Sequence, residues 1–145
     1  ECSPTTMAAT DSVSTNNVQE EKKDDTATGK HVRALNDGHT IPMLGFGTYL
    51  LSTKANNKQK LSARQAVKYA ISIGYRHIDT AIFYGNEAEI GKGIKDSGIN
   101  RSELFITTKL WSEGHETGDG ETADAVNASL KKLDCGYIDL YLIHS

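Results

Sequence analysis

Four stretches of extended character end at nearly constant intervals in this sequence: "LGFGT" at Thr48, "YRHID" at Asp79, "LFITTK" at Lys109 and "YIDLYLIH" at His144. The intervals of 31, 30 and 35 residues match one strand, a loop, a helix and a return loop. Helix patterns fill the gaps. In "LSARQAVKYAISIG", Ser62 and Gln65 make a capping box, Ala66, Ala70 and Ile73 make an apolar stripe, and Gly74 ends the segment. Asn86 with Glu89 predicts the cap of a second helix, with Ile90 and Ile94 inward and a stop at Gly98. "ETADAVNASLKKL" predicts a third, with Ala125, Ala128 and Leu133 inward. Strict alternation confines the chain to parallel βα repeats, either an open doubly wound sheet or a (β/α)₈ TIM barrel.

Two features favour the barrel. "GFGTYL" has Gly45 and Gly47, but Leu50 stands where a dinucleotide-binding G-x-G-x-x-G would need its third glycine. Ionisable residues also fall at successive strand ends, where barrel enzymes place their chemistry. Ahead of the first repeat, "HVRALNDGHTIPMLGFGT" predicts a β-hairpin turning at Asp37-Gly38. Residues 1–30 lack any aromatic residue and are dominated by Ser, Thr, Asn, Asp, Glu and Lys, so a disordered N-terminal tail is expected there.

That tail carries the whole net charge of −3, with six acids against three lysines, and the rest of the chain is balanced. No basic surface therefore argues for nucleic acid. No run approaches the roughly 20 apolar residues of a membrane span, and no signal-peptide core is present, so a cytoplasmic protein is expected. Cys2 and Cys135 are too few for a disulfide framework and are expected to be reduced. The sequons at Asn100 and Asn127 are then inert.

The chemistry gathers at the strand ends. Neighbouring parallel strands lie about 4.8 Å apart, so Asp79, Lys109 and His144, with Tyr84 in the loop after Asp79, can meet at one mouth. A phenol is a weak acid near neutral pH, with an unperturbed pKa of about 10. An ammonium beside it favours the phenolate, and a carboxylate keeps the ammonium charged and in place. A histidine can hydrogen-bond the same carbonyl oxygen that the phenol protonates. Such a set suits carbonyl reduction.

"GYRHIDTA", five residues, Glu87, two residues and "IG" resemble the aldo-keto reductase signature. "GFGTY", "TKLW" and "LDCGYIDLYLIH" resemble that family's other landmarks in the right order. The resemblance covers residues 31–145. It implies a (β/α)₈ barrel that reduces aldehydes or ketones with NADPH rather than NADH, as a monomer. Tyr84 resembles the proton donor, Lys109 its activator, Asp79 the partner of Lys109, and His144 the residue that orients the carbonyl. The resemblance also implies cofactor contacts at Gly47, Thr48, Tyr49 and Asp79, and substrate contacts at Tyr49, Tyr84, Trp111 and His144. No metal is implied.

Tyr49 stands where many members carry tryptophan, and "LLSTKANNKQK" is longer than usual for the loop after the first strand. The sequence also stops just past the fourth strand, so it is expected to be the first half of a barrel, with residues of the second half missing from the cofactor site. Three other readings compete: a non-catalytic regulatory subunit with the same barrel, a Schiff-base aldolase using Lys109, and a metal hydrolase using His77, Asp79 and His144.

Overall fold

The computed structural model describes residues 31–54, 61–111 and 119–144. The expected tail at 1–30 and much of the long loop at 50–60 lie outside them. β1 (Val32–Ala34) and β2 (Thr40–Pro42) pair antiparallel as a hairpin, with Val32 opposite Pro42. The turn differs from the expected Asp37-Gly38 pair. Leu35 N–H donates to His39 O and Gly38 N–H donates to Leu35 O. Gly38 takes the left-handed conformation, φ +86°, whereas Asp37 does not. Asp37 Oδ1 instead accepts the His39 N–H at 2.9 Å, the local bond that aspartate forms in turns.

The remaining strands form one parallel sheet in chain order: β3 (Gly45–Gly47), β4 (His77–Asp79), β5 (Phe105–Trp111) and β6 (Leu140–His144). Between them run α1 (Ala63–Ser72), α2 (Glu87–Ser97) and α3 (Asp119–Leu133). The core joins Ala63, Val67 and Ile71 of α1, Ile90 and Ile94 of α2 and Leu133 of α3 to Ile78 and Ile106 of the sheet. Ile78 and Ile106 are register partners, so they share a face, and Asp79 and Thr107 share the opposite one. All three helices therefore cover one face. A doubly wound sheet reverses its strand order and covers both faces. Sequential order with one-sided helices is the arrangement of a βα barrel wall, here an open segment of four strands.

The capping box of α1 forms: Ser62 Oγ accepts the Gln65 N–H, and Gln65 Oε1 accepts the Ser62 N–H. Ala66 and Ala70 are buried as expected, but Ile73 is 53% exposed. Ile73 is the C-cap, where the chain has already left helical geometry for Gly74 at φ +105°. Among the described side chains of α3 the buried positions are Ser129 and Leu133, with Ala125 half-buried and Ala128 exposed. The inward stripe runs in steps of four through a serine, so composition disguised it and the expected Ala128 lies about 100° away.

Glycines bring α2 close to both neighbours. A Cβ on Gly93 would lie 2.6 Å from Arg64 O of α1, and one on Gly91 only 2.1 Å from Leu133 O of α3. Both obstacles are backbone, which cannot rotate away. Gly91→Ala is therefore expected to lower the stability of the full-length protein by about 3 kcal/mol or more, the upper range for overpacking. Urea unfolding checks it, and a loss below about 1 kcal/mol would show that α3 moves aside freely.

The hairpin is tied to the sheet by His77. Its Nδ1 donates to Pro42 O at 3.2 Å, so Nε2 is the acceptor for the Thr107 hydroxyl at 2.9 Å. Burial lowers the His77 pKa and so favours the neutral ring, the form in which Nε2 accepts from Thr107. Gly45 makes room for the ring, since a Cβ there would sit 3.0 Å from Nδ1.

Candidate active site

The expected residues meet, though from staggered levels. Asp79 pairs with Thr107, Lys109 with Leu142, and Trp111 with His144. Each step along the sheet thus moves the functional position two residues further up its strand. Two residues preserve the face, so Asp79, Lys109, Trp111 and His144 all point away from the helices. Lys109 does not end its strand as the spacing implied, because β5 continues to Trp111. Its long side chain reaches back across the roughly 6.6 Å rise of two residues.

Lys109 Nζ donates to Asp79 Oδ1 at 2.7 Å and to Thr80 O at 2.9 Å, and lies 3.5 Å from Tyr84 Oη. An ammonium has three hydrogens, and these three oxygens are its acceptors. The Lys109 side chain is 13% exposed and that of Asp79 33%, so the ion pair faces the mouth of the sheet without being flooded.

Tyr84 is delivered by a 3₁₀ turn, Ile82–Tyr84, which starts after fully buried Ala81 and stops at Gly85 in the left-handed conformation, φ +65°. The His144 ring stands edge-on to the Tyr84 ring, with centroids 5.7 Å apart. His144 Nδ1 is buried without a hydrogen-bond partner among the described residues. Buried polar atoms are nearly always paired, so this nitrogen marks His144 as a candidate for a hydrogen bond to something beyond the described residues.

Aromatic rings form a wall beside these groups. Phe83 stacks on Trp111 with centroids 4.1 Å apart, and Tyr49 stacks on Phe83 at 6.5 Å and leans on Tyr84 at 5.0 Å. Trp111 meets the His144 ring edge-on at 5.5 Å. Trp111 and Tyr49 were expected there; Phe83 was not. Its only signal in the sequence was its place beside Tyr84, and its 50% exposure shows only in three dimensions.

Thr48 is fully buried, and both its N–H and its hydroxyl donate to Asp79 O at 3.0 Å. It fixes the backbone that carries the carboxylate. Gly47, one residue earlier, ends β3 with open space where a Cβ would project. Asn86 does not cap α2 with its side chain. Its amide donates to Thr48 O and Leu51 O instead, a role that the capping pattern hid.

No three metal-ligating side chains gather among the described residues, and both ring nitrogens of His77 are engaged below the mouth. Cys135 is a buried free cysteine whose thiol pKa burial pushes up. Cys2 lies outside the described residues. No described helix is long and apolar enough to cross a membrane.

The sequence model of the aldo/keto reductase family matches residues 43–145. The chain is 51% identical over 110 residues to an aldehyde reductase of Saccharomyces cerevisiae, covering 76% of this chain and 32% of that protein. It is 46% identical over 113 residues to a glycerol 2-dehydrogenase (NADP(+)) of the same yeast, covering 78% and 33%. The structure superposes on a Bombyx mori aldo-keto reductase in complex with NADP with a TM-score of 0.68 at 45% identity, covering 79% of this chain and 38% of that one. The chain belongs to the aldo/keto reductase family. It spans about a third of the length of the curated relatives it matches.

Proposed function

We propose that the full-length protein reduces aldehydes or ketones to alcohols with NADPH, and that residues 31–145 contribute the first half of a closed (β/α)₈ barrel to it. The observation that carries this reading is the Lys109 ammonium held between the Asp79 carboxylate and the Tyr84 phenol. The choice of NADPH is supported by the NADP in the Bombyx structure and by the name of the yeast glycerol dehydrogenase.

The residues present fit such a cofactor. The Asp79 carboxylate is part exposed and has acceptor capacity left for a ribose hydroxyl, and Tyr49 offers a half-exposed ring against which a flat heterocycle can lie. NADPH, when bound, supplies the hydride that the carbonyl carbon receives. Tyr84 gives its hydroxyl proton to the carbonyl oxygen as that oxygen gains charge. Lys109 stabilises the phenolate left behind, and Asp79 holds Lys109 in place. His144 hydrogen-bonds the same oxygen and fixes its direction. Phe83, Trp111 and Tyr49 shield the exchange from water and bias the site toward apolar carbonyl compounds.

Loss of NADPH absorbance in the presence of a reactive aromatic aldehyde is the test. Turnover on the order of 1 s⁻¹ or more is expected for the full-length protein. NADPH binding without turnover would support a regulatory subunit instead. A polypeptide restricted to residues 1–145 is expected to turn over far below about 1 s⁻¹. Among the described residues the outer edges of β3 and β6 pair with no strand, and open edges leave backbone groups unpaired. Ordinary turnover by that polypeptide would show that two copies complete one another.

A further inference from the structure

Asn86 sits just before α2, where an asparagine normally turns its side chain onto the helix N-terminus. Here it is 1% exposed and makes no such bond. Both hydrogens of its amide are spent on the loop after β3, with Nδ2 2.9 Å from Thr48 O and 3.1 Å from Leu51 O. Its Oδ1 faces the Thr80 hydroxyl at 3.4 Å. The same Thr80 offers its carbonyl to Lys109 Nζ. One buried amide thus joins the loop that carries Tyr49 to the segment that holds the lysine.

The loop needs a clamp. Between the two carbonyls that Asn86 holds, Leu50 adopts φ +62°, a left-handed conformation that a leucine rarely takes. Strained backbone of this kind persists where its surroundings over-determine it, and it clusters at ligand clamps. The corner it creates turns Tyr49 onto Phe83 and Tyr84.

We propose that Asn86 is a positioning residue that sets the corner at residues 48–51, and through it Tyr49, against the reacting centre. It governs how tightly cofactor and carbonyl are held rather than the proton transfer itself, a statement that rests on the reductase reading. The amide cannot be replaced by a carboxylate of the same shape. Asn86→Asp would aim an oxygen at two carbonyl oxygens and push the corner away.

The experiment compares wild type, Asn86→Asp and Ser62→Ala in the full-length protein. Ser62→Ala removes the α1 cap and serves as a purely structural control. In Asn86→Asp, the NADPH Kd, read from fluorescence of the bound cofactor, and the carbonyl KM are expected to rise on the order of tenfold, with kcat within about threefold and its pH profile unmoved. Ser62→Ala is expected to lower Tm while leaving Kd and KM alone. A folded Asn86→Asp with Kd and KM within about twofold of wild type would overturn the proposal, as would equal changes in Ser62→Ala. Should Asn86→Asp fail to fold, Asn86→Ser keeps a short donor without charge and carries the same measurements. A wild type that binds NADPH but reduces nothing would refute the reductase reading, and the Kd comparison would still decide the role of Asn86.

Discussion

Tyr84→Phe in the full-length protein is expected to lower kcat by on the order of 10² to 10⁴, the usual scale for a lost general acid. The substitution removes one hydroxyl and nothing else that the fold uses. The ring contacts with Tyr49 and His144 are made by the aromatic body and remain, and the turn that delivers the side chain depends on backbone bonds and Gly85. NADPH affinity and thermal stability should therefore stay near wild type. Stopped-flow reduction at saturating NADPH and aldehyde, with cofactor affinity measured separately, distinguishes lost chemistry from lost binding. A wild-type kcat in this variant would move the proton donor elsewhere. His144, whose Nδ1 is buried and unpaired among the described residues, would be the next group to test.

Lys109→Met should produce a loss on the order of 10² to 10³ in kcat, comparable with removal of a preorganised charge from a developing anion. Methionine keeps most of the side-chain volume but abolishes the ammonium. Asp79 Oδ1, Thr80 O and the Tyr84 phenol then lose their shared donor. The Asp79 carboxylate, a third exposed, turns to water, which spares the fold. Because lysine acts through tyrosine, the double variant Lys109→Met with Tyr84→Phe should be scarcely slower than Tyr84→Phe alone. Groups that act as one unit are strongly non-additive. Fully multiplicative losses would show that Lys109 contacts the substrate independently.

Much of the architecture was legible beforehand because it rests on local rules. The spacing of Thr48, Asp79, Lys109 and His144 reports the length of a βα unit, and the caps and glycine stops report helix ends that depend on a few adjacent residues. The capping box at Ser62 and Gln65 and the buried pair Ile90 and Ile94 are of this kind. The four polar residues of the site were legible for a related reason. Side chains at successive parallel strand ends have few places to go but the same mouth.

The remainder was decided by contacts between segments distant in the chain. Asn86 carried a capping pattern, yet two carbonyls from residues some 35 to 38 positions earlier claimed its amide. The amide is 1% exposed, and a buried amide without acceptors costs more than an α2 N-terminus left to water. Lys109 was expected at a strand end and lies two residues short of it, because pairing with β6 extends β5 to Trp111. Ile73 and Ala128 looked inward by period and face solvent, since the helix stopped before one of them and the stripe ran through Ser129 past the other. Phe83 joined the aromatic wall only when β5 and β6 brought Trp111 and His144 beside it. Residue types and spacings therefore determined the repeat and which polar side chains meet at its mouth. Register between strands, and the competition among buried donors and acceptors, determined their geometry, because hydrogen bonds between distant segments leave no periodic mark in the sequence.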